Sequence, residues 1–339
     1  MSRLLLVRLS AMGDLVQSLG AVESLRRASP NATITFVTQT TWAPLLDGLP
    51  GIARVVTLDR GGGVGSLLRL RRELRALDLD VALDLQGNWK SAAVARLSGA
   101  RRRVGMEGRW RQEPGSRALL TEVVRCDATP HPARAAWELA KRIAPGAPFA
   151  LPRLAPTAAE LDRERAALRG VGVDPERPFR VVVGTAPHDP RALRPDRLER
   201  LVDGPQAVLV TGPAEAGMAW GGDRPRLHHG EGEARRLVAL GAAVAAAGGD
   251  VVGPDQGASH VLLAAGARGR VLFGSQDPRR SAPPAAAALQ GPVALPCRPC
   301  RRSSCHPGGG PRFACMDYGL DEGELVDIGM PSPGAVEPR

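Results

Sequence analysis

Short apolar runs alternate with longer amphipathic stretches along this 339-residue chain. Residues 4–7 form an apolar run whose length suits a buried parallel strand. A helix is expected next, because apolar side chains recur close to the i, i+4, i+7 spacing of one helical face. These side chains are Leu15, Leu19, Val22 and Leu25. Further strands are expected at residues 33–37, 52–58, 80–85, 179–183 and 207–210, and two more begin at Val251 and Val271. Further helices are expected at residues 66–77 and 132–143. Such alternation predicts an α/β fold with doubly wound parallel sheets.

A proline-dense stretch between residues 145 and 156 divides the chain into two parts. The alternation of strands and helices starts again beyond it, as expected at a domain boundary. The length also suits two domains of ordinary size better than one. We therefore expect an N-terminal domain at residues 1–150 and a C-terminal domain at residues 151–339. Small-molecule sites tend to form between domains, so a cleft between the two is the expected site.

The turn after the first strand, Ser10-Ala11-Met12-Gly13-Asp14, holds the first candidate for chemistry. In open α/β folds such turns bring backbone N–H groups and side chains to the carboxyl edge of the sheet, where ligands bind. Because an unperturbed aspartate is ionised at pH 7, it can accept a proton from a hydroxyl held against it. The alternative is structural, since Asp14 with Gln17 three residues later also fits a capping box.

A second loop at the same predicted sheet edge, residues 84–91, carries Gln86 and Lys90. Arginine clusters follow at residues 101–103 and 109–111. Guanidinium groups match phosphate oxygens bidentately, so these clusters are candidates for a phosphate cradle on an acidic partner. A solvated basic surface is the alternative interpretation.

The second domain has a focal segment of its own at residues 251–260, which has the pattern of a strand, a glycine-bounded turn and a helix of small residues. Asp255 at the end of this strand can hold sugar or ribose hydroxyls. The helix N-terminus beyond it favours a phosphate group. In the alternative interpretation, Asp255 caps the helix and His260 packs beneath it.

Four cysteines near the C-terminus have the spacing C-x2-C-x4-C-x9-C. They are Cys297, Cys300, Cys305 and Cys315. Four thiolates can form a tetrahedral zinc site or hold an iron–sulfur cluster. Reduced free thiols are the alternative, and a structural disulfide is disfavoured in a cytosolic protein. Cys126 stands apart and is expected to be a small buried hydrophobe.

The formal net charge of +10 indicates acidic partners, such as nucleic acid, an anionic lipid surface or phosphorylated small molecules. All but two of the 45 basic residues are arginine, so a single arginine is weak evidence of function. Aromatic residues make up 3% of the chain, which disfavours the stacking platforms that bind single-stranded nucleic acid. No apolar run reaches the ~18 residues that span a bilayer, and the first residues lack a signal-peptide pattern. We therefore expect a cytoplasmic protein that binds no nucleic acid, with a nucleic-acid-binding module as the alternative from another class.

Several motifs, taken in order, resemble one enzyme family. They are RLSAMGD, DLQGNWKS, RRRVG, GPDQGASH, LFGSQDP and CRPCRRSSC. In order and spacing this set resembles the ADP-heptose:lipopolysaccharide heptosyltransferases of glycosyltransferase family 9. The resemblance implies a GT-B architecture of two Rossmann-like domains and an inverting transfer of heptose from ADP-heptose to a phosphorylated lipopolysaccharide core acceptor. No cofactor is implied for catalysis, and peripheral contact with the inner face of the cytoplasmic membrane is expected for such an acceptor.

The resemblance also assigns roles to residues of this chain. Asp14 matches the general base that deprotonates the acceptor hydroxyl. The acceptor side is implied at Ser10, Gly13, Gln86 and Lys90, and the donor side at Arg191, Asp255, Gly257, Ser259 and His260. Arg191 and Gln256 stand where the family usually has lysine and threonine. The alternatives are therefore a related transferase with another nucleotide sugar or acceptor, or a catalytically weakened nucleotide-binding homologue.

Overall fold

The computed structural model describes most of the chain and resolves it into two compact units. Its described residues are 2–59, 61–107, 113–125, 131–186, 188–204, 206–215, 224–291, 295, 297–300, 305 and 314–336. The first unit contains the residues up to Pro152 together with the segment that starts at Met330. The second unit is Arg153–Gly329.

The first unit is built on a six-stranded parallel sheet. Its strands are β1 (Arg3–Val7), β2 (Thr33–Gln39), β3 (Ile52–Leu58), β4 (Val81–Asp84), β5 (Arg102–Met106) and β6 (Glu122–Val124). Its α-helices are α1 (Met12–Ser18), α2 (Gly20–Ala28), α3 (Gly63–Arg75), α4 (Trp89–Leu97) and α5 (Pro132–Ile143). Two 3₁₀ helices at Thr40–Leu46 and Pro114–Leu119 complete the described elements. The strand order is β3-β2-β1-β4-β5-β6.

The order of the strands in this sheet reverses between β1 and β4. The chain proceeds from β1 outward through β2 and β3, and then returns to add β4 on the other side of β1. In doubly wound sheets the loops at such a reversal diverge and leave a crevice at the carboxyl ends of the strands. We call residues 8–11 and 85–88, which follow β1 and β4, the first switch point.

The predicted single helix after β1 is wrong, because the structure has α1 and α2 with a break at Leu19. The four apolar side chains of the predicted face are nevertheless all buried. Gly20, which begins α2, lies against the backbone of Ala150, and a Cβ at this glycine would be 2.2 Å from the Ala150 carbonyl oxygen. The helix therefore breaks where two backbone segments come close together, and a hydrophobic pattern does not encode such an approach.

The second unit repeats the architecture with seven strands. They are β7 (Arg180–Val183), β8 (Ala207–Thr211), β9 (Arg226–His228), β10 (Asp250–Pro254), β11 (Arg268–Phe273), β12 (Ala287–Gln290) and β13 (Glu324–Leu325). The α-helices are α6 (Ala158–Gly170), α7 (Pro195–Leu201), α8 (Ala234–Ala246), α9 (Gly257–Ala264) and α10 (Pro278–Ser281), with 3₁₀ helices at Pro213–Glu215 and Ala314–Met316. The order is β13-β12-β11-β10-β7-β8-β9, and only β13 is antiparallel to its neighbour. This sheet reverses between β10 and β7, and we call residues 184–186 and 255–257 the second switch point.

Both sheets are therefore doubly wound and dominated by parallel strands, which confirms the predicted fold class. The strands of the first sheet are apolar where they cross the core, and Leu4, Leu5, Leu6 and Val7 are fully buried. Among the described residues, no helix is both long and apolar enough to cross a membrane.

Candidate active site

Gln86 joins the two loops of the first switch point. Its Oε1 accepts the backbone N–H of Leu9 at 2.8 Å and that of Ser10 at 3.3 Å, and its Nε2 donates to the Ser10 hydroxyl at 3.2 Å. The buried carboxylate of Asp84 shapes the second loop, because it accepts the N–H groups of Gln86 and Gly87 at 3.1 and 2.9 Å. The predicted acceptor residues Ser10 and Gln86 are thus brought into direct contact at the carboxyl edge of the sheet.

Asp14 is the third residue of α1 and forms an ion pair with Arg8. Arg8 is almost fully buried, with 3% of its side chain exposed, and its Nη1 donates to the Leu85 carbonyl at 2.6 Å. The Asp14 side chain is 35% exposed and has no other partner within the described parts of the chain. α1 begins after Ala11 without a side-chain cap, so Asp14 does not play the capping role considered above. The arrangement leaves a carboxylate that is anchored on one side and open to solvent on the other.

Lys90 lies in the first turn of α4 at the same edge of the sheet. This helix begins with a capping box, in which the Asn88 side chain accepts the Ser91 N–H and the Ser91 hydroxyl accepts the Asn88 N–H. Lys90 is exposed, and the described residues offer it no carboxylate partner. Gly13 lies in the first turn of α1, next to Asp14.

The arginines at residues 101–103 lie at the opposite edge of the first sheet, because they precede or begin β5. Arg102 pairs with Glu122 at 3.0 Å, and Arg103 donates to the carbonyls of Leu119 and Ala100 at 2.9 Å. This cluster therefore lies away from the first switch point. The cluster at residues 109–111 lies outside the described residues.

The second switch point is joined by Gln256. Its Nε2 donates to the Gly184 carbonyl at 2.6 Å and to the Thr185 hydroxyl. Arg191 adds a further tie, since its Nη1 donates to the Asp255 carbonyl at 2.9 Å. The Arg191 Nε and Nη2 also hold the Asp189 carboxylate at 2.9 and 2.6 Å.

The Arg191–Asp189 pair is charged and fixed in place. Burial alone would raise the pKa of Asp189, but the hydrogen bonds from Arg191 outweigh it and hold that pKa below its ordinary value. The same side-chain hydrogen bond raises the pKa of Arg191. A guanidinium carries five N–H groups, and these contacts use three of them. The remaining N–H groups of Arg191 have no partner among the described residues, and 36% of its side chain is exposed.

Asp255 is held by two side chains rather than by the start of α9. One carboxylate oxygen contacts His260 Nε2 at 3.1 Å, and the other accepts the Ser281 hydroxyl at 2.7 Å. α9 begins at Gly257 without a side-chain cap, so Asp255 does not cap it, whereas His260 does pack beneath Asp255. Ser259 is completely buried, and its hydroxyl donates to the Pro254 carbonyl at 2.8 Å.

Three side chains that shape the candidate site were not predicted from the sequence. Arg8, Asp84 and Glu215 are all buried and all shape loops at the carboxyl edges of the sheets. The Glu215 oxygens accept the N–H groups of Ala186 and Gly212 at 3.1 and 2.9 Å, which ties the second switch point to the loop after β8. The available signal was position, because Arg8 and Asp84 lie at the ends of strands and Glu215 follows one closely.

The described part of the cysteine segment gives no support to the predicted metal site. Cys297 is exposed, and Cys300, Cys305 and Cys315 are partly buried. Among the described residues, no three His, Cys, Asp or Glu side chains come together as metal ligands. Burial raises the pKa of Cys315 to about 11, which favours the neutral thiol over the thiolate that metals bind. The donor set therefore does not support the prediction of zinc or an iron–sulfur cluster, and Cys126 lies outside the described residues.

Both the sequence and the fold of this chain are similar to those of known glycosyltransferases. Residues 67–186 match the model of glycosyltransferase family 9 (heptosyltransferase). Lipopolysaccharide heptosyltransferase 1 of Pseudomonas aeruginosa is 26% identical over 326 residues, which cover 89% of this chain and 87% of that protein.

Two solved structures share the fold. The glycosyltransferase family 9 protein from Veillonella parvula has a TM-score of 0.72 at 18% identity and covers 85% of this chain and 84% of its own. The E. coli ADP-heptose lipopolysaccharide heptosyltransferase II has a TM-score of 0.68 at 22% identity, with 87% and 92% covered. The predicted GT-B fold of two Rossmann-like domains is confirmed. With two Rossmann-like units, the ordered motifs and this family match, the chain is similar to the heptosyltransferases of glycosyltransferase family 9 and is a glycosyltransferase.

Proposed function

We propose that this protein is an inverting glycosyltransferase that moves a heptose from ADP-heptose to a lipopolysaccharide core acceptor. The observation that carries the proposal is the anchored and solvent-accessible carboxylate of Asp14 at the first switch point. The names of the relatives support the substrates, because one is a lipopolysaccharide heptosyltransferase and another is named for ADP-heptose. Within this proposal the first unit holds the acceptor and the second holds the donor.

On the acceptor side, Asp14 accepts the proton of the attacking hydroxyl as its oxygen forms a bond to the anomeric carbon of the heptose. The Arg8 guanidinium keeps one carboxylate oxygen of Asp14 engaged, so that the other faces the acceptor. Ser10 and Gln86 fix the loop that positions α1, and Gly13 adjoins the carboxylate in the first turn of that helix. Lys90, which has no carboxylate partner in the described part of the chain, supplies a cation for the phosphate groups of the acceptor.

On the donor side, the bond between the anomeric carbon and the β-phosphate oxygen breaks, and ADP leaves with the electron pair. Its diphosphate requires cationic or dipolar stabilisation. Arg191 supplies the cation, and the uncapped N-terminus of α9 at Gly257 supplies backbone N–H groups. Asp255, oriented by His260, holds the hydroxyls of the donor, and Ser259 supports the turn from beneath.

The site needs no metal for this chemistry, since one base and a stabilised leaving group complete the transfer. A lipid-anchored acceptor would bring the enzyme into peripheral contact with the cytoplasmic face of an anionic membrane. Nucleic acid has no role in the proposal.

The test is a transfer assay that uses the purified chain, ADP-heptose and a lipopolysaccharide precursor that lacks heptose. We expect one heptose to be added with release of ADP and inversion at the anomeric carbon. Calorimetric titrations with ADP-heptose, ADP, UDP, GDP and NAD identify the donor independently of turnover. Preference for a nucleotide other than ADP would point to a different transferase, and absence of any binding would point to a weakened homologue; either result would refute the proposal.

A further inference from the structure

The helix α3 carries an exposed stripe that combines apolar and cationic side chains. The apolar part contains Val64, Leu67 and Leu68, which are 73%, 41% and 54% exposed. One to two turns further along the helix come Arg71, Arg72 and Arg75, which are also exposed. We call these six residues the α3 stripe. Helical spacing of three and four residues places them along one side of α3.

The stripe is not the face that α3 uses for folding. Leu70 and Leu74 are buried in the core of the first unit, and Ser66 on the same face is buried as well. A globular helix normally exposes polar residues opposite its core face. The exposed valine and leucines of the stripe therefore lie outside the core and need another explanation.

The charges around α3 are divided between its two flanks. On one flank, Arg69 pairs with Asp59 at 2.7 Å and Glu73 approaches Arg54 at 4.0 Å, so those charges are balanced. On the stripe, none of the three arginines has a carboxylate partner among the described residues. The stripe thus presents three unbalanced cations directly beside three apolar side chains.

Such a combination fits an anionic bilayer surface. Apolar side chains enter the boundary between headgroups and acyl chains, while arginines keep their guanidinium groups at the level of the anionic headgroups. A second copy of this chain fits less well, because a two-fold contact through the stripe would bring the unpaired arginines of both copies together. The net charge of +10 further favours an anionic partner.

We propose that the α3 stripe is a docking surface for an anionic lipid bilayer. The inference rests on the proposed function in one respect, that a lipid-anchored acceptor brings the enzyme to a membrane. The proposal identifies the surface of the enzyme that contacts the membrane.

The test measures binding of the full chain to vesicles. Phosphatidylcholine vesicles are compared with vesicles that contain about one third phosphatidylglycerol, at ~0.1 M salt. The wild-type chain should prefer the anionic vesicles. R71Q/R72Q/R75Q should lower the anionic partition coefficient by on the order of a hundredfold, from a factor of about five for each arginine. L67S/L68S should lower it by about tenfold, because the apolar contact is lost while the charge is kept.

A matched control removes the same charge from exposed positions of the second unit. R163Q/R177Q/R200Q should change the partition coefficient by about threefold or less, because charges away from the contact are screened. An equal loss in this variant would overturn the proposal, as would equal binding of the wild type to neutral and anionic vesicles. Self-association in sedimentation that L67S/L68S abolishes would assign the stripe to a second copy and would also overturn it.

The docking surface and the transfer reaction can fail separately. Transfer to a deacylated, water-soluble acceptor should be the same in the wild type and in R71Q/R72Q/R75Q, while transfer to the acceptor in anionic vesicles should fall with vesicle binding. Loss of transfer to both acceptors in this variant would show that the stripe serves the reaction itself and would refute a docking role. Vesicle binding through the stripe without heptose transfer by the wild type would instead refute the proposed function and leave the docking surface standing.

Discussion

At each switch point a glutamine side chain links two loops, but the two glutamines use opposite hydrogen-bonding groups of the side-chain amide. Gln86 accepts two backbone N–H groups through its Oε1, whereas Gln256 donates its Nε2 to the Gly184 carbonyl. Because backbone N–H groups only donate and carbonyls only accept, each partner dictates the orientation of its amide. Gln86 therefore depends on its amide oxygen and Gln256 on its amide nitrogen, although the sequence does not distinguish the two glutamines.

The carboxylates of Asp14 and Asp255 differ in how exposed they are and in how many hydrogen-bond partners they have. The Asp14 side chain is 35% exposed and is anchored by Arg8 alone among the described residues. The Asp255 side chain is 11% exposed, and His260 and Ser281 each occupy one of its oxygens. The first arrangement suits a group that must receive a proton, and the second suits a group that must hold its position. Similar loops on similar sheets thus support different roles.

Replacing each carboxylate by its amide tests this difference and should give the largest effect. Asp14→Asn removes the proposed proton acceptor, so transfer should fall by about 10³-fold while ADP-heptose binding is kept. Asp255→Asn should instead weaken donor binding, because the bonds from His260 and Ser281 lose their charged acceptor. Initial rates and donor titration of both variants measure the two effects. Equal loss of donor affinity in the two variants would contradict the division of roles.

The arginines beside these carboxylates provide the next largest contrast. Arg8→Met keeps the apolar stem and removes the group that anchors Asp14, so kcat should fall by about 10- to 100-fold with little change in the donor KM. Arg8→Lys should lose less, because an ammonium can still pair with the carboxylate. Steady-state kinetics with both substrates varied separate these parameters.

Arg191→Met is the matched control in the second unit. It should raise the donor KM more than it lowers kcat, since Arg191 ties Asp255 and faces the leaving diphosphate in the proposal. A rise in donor KM in Arg8→Met as large as that in Arg191→Met would mean that Arg8 serves the donor rather than Asp14.

Features of the structure that follow from the periodicity of apolar residues could be predicted from the sequence. The helix predicted at residues 132–143 is observed with the same bounds as α5. The two doubly wound sheets follow from the alternation of apolar strands with amphipathic helices, and each focal loop lies at a carboxyl edge as expected. These features are encoded locally, so one chain is enough to predict them.

Features that depend on distant contacts could not be predicted. Arg8 is one arginine among many and acquires its meaning from Leu85 and Asp14, of which Leu85 is 77 residues away in the sequence. The break at Leu19 accompanies the approach of Ala150 to Gly20. The arginines at residues 101–103 lie at the edge of the sheet opposite the first switch point, and their basic composition alone gives no indication of this location. Each error reflects a tertiary contact that no local pattern reports.

The opposite polarity of the two glutamines leads to a smaller predicted difference. Gln86→Glu keeps the oxygen that accepts the Leu9 and Ser10 N–H groups, so transfer should fall by less than about fivefold. Gln256→Glu replaces the donor by a carboxylate that faces the Gly184 carbonyl, so the donor KM should rise by about 10- to 30-fold. Kinetics of the two variants at pH 7 provide the measurement. A larger loss in Gln86→Glu than in Gln256→Glu would show that the assigned amide polarity does not control the loops.

The smallest predicted effect concerns acid stability, where the second unit has a tie of its own. A hydrogen bond from Arg235 on α8, which outweighs the effect of burial, lowers the pKa of Glu160 on α6 to about 2. Because the folded pKa lies below the unfolded value, the stabilisation is complete above about pH 4.5 and is lost as the pH falls towards 2. The Glu160 side chain is 26% exposed, so we expect Glu160→Gln to lower the free energy of unfolding by about 1–2 kcal/mol at pH 7.

The pH dependence separates this ion pair from a general packing defect. Denaturant unfolding of the wild type and Glu160→Gln should differ at pH 7 and converge as the pH falls towards 2, because protonation of Glu160 removes the ion pair from the wild type and the variant lacks it at every pH. Glu199→Gln removes an exposed carboxylate without a partner among the described residues, and it should change the free energy of unfolding at neither pH. Hydrogen exchange should locate the loss at pH 7 in α6 and α8, with the amides around Asp14 unaffected. A difference between wild type and Glu160→Gln that persists unchanged at pH 2 would exclude the ion pair as its cause.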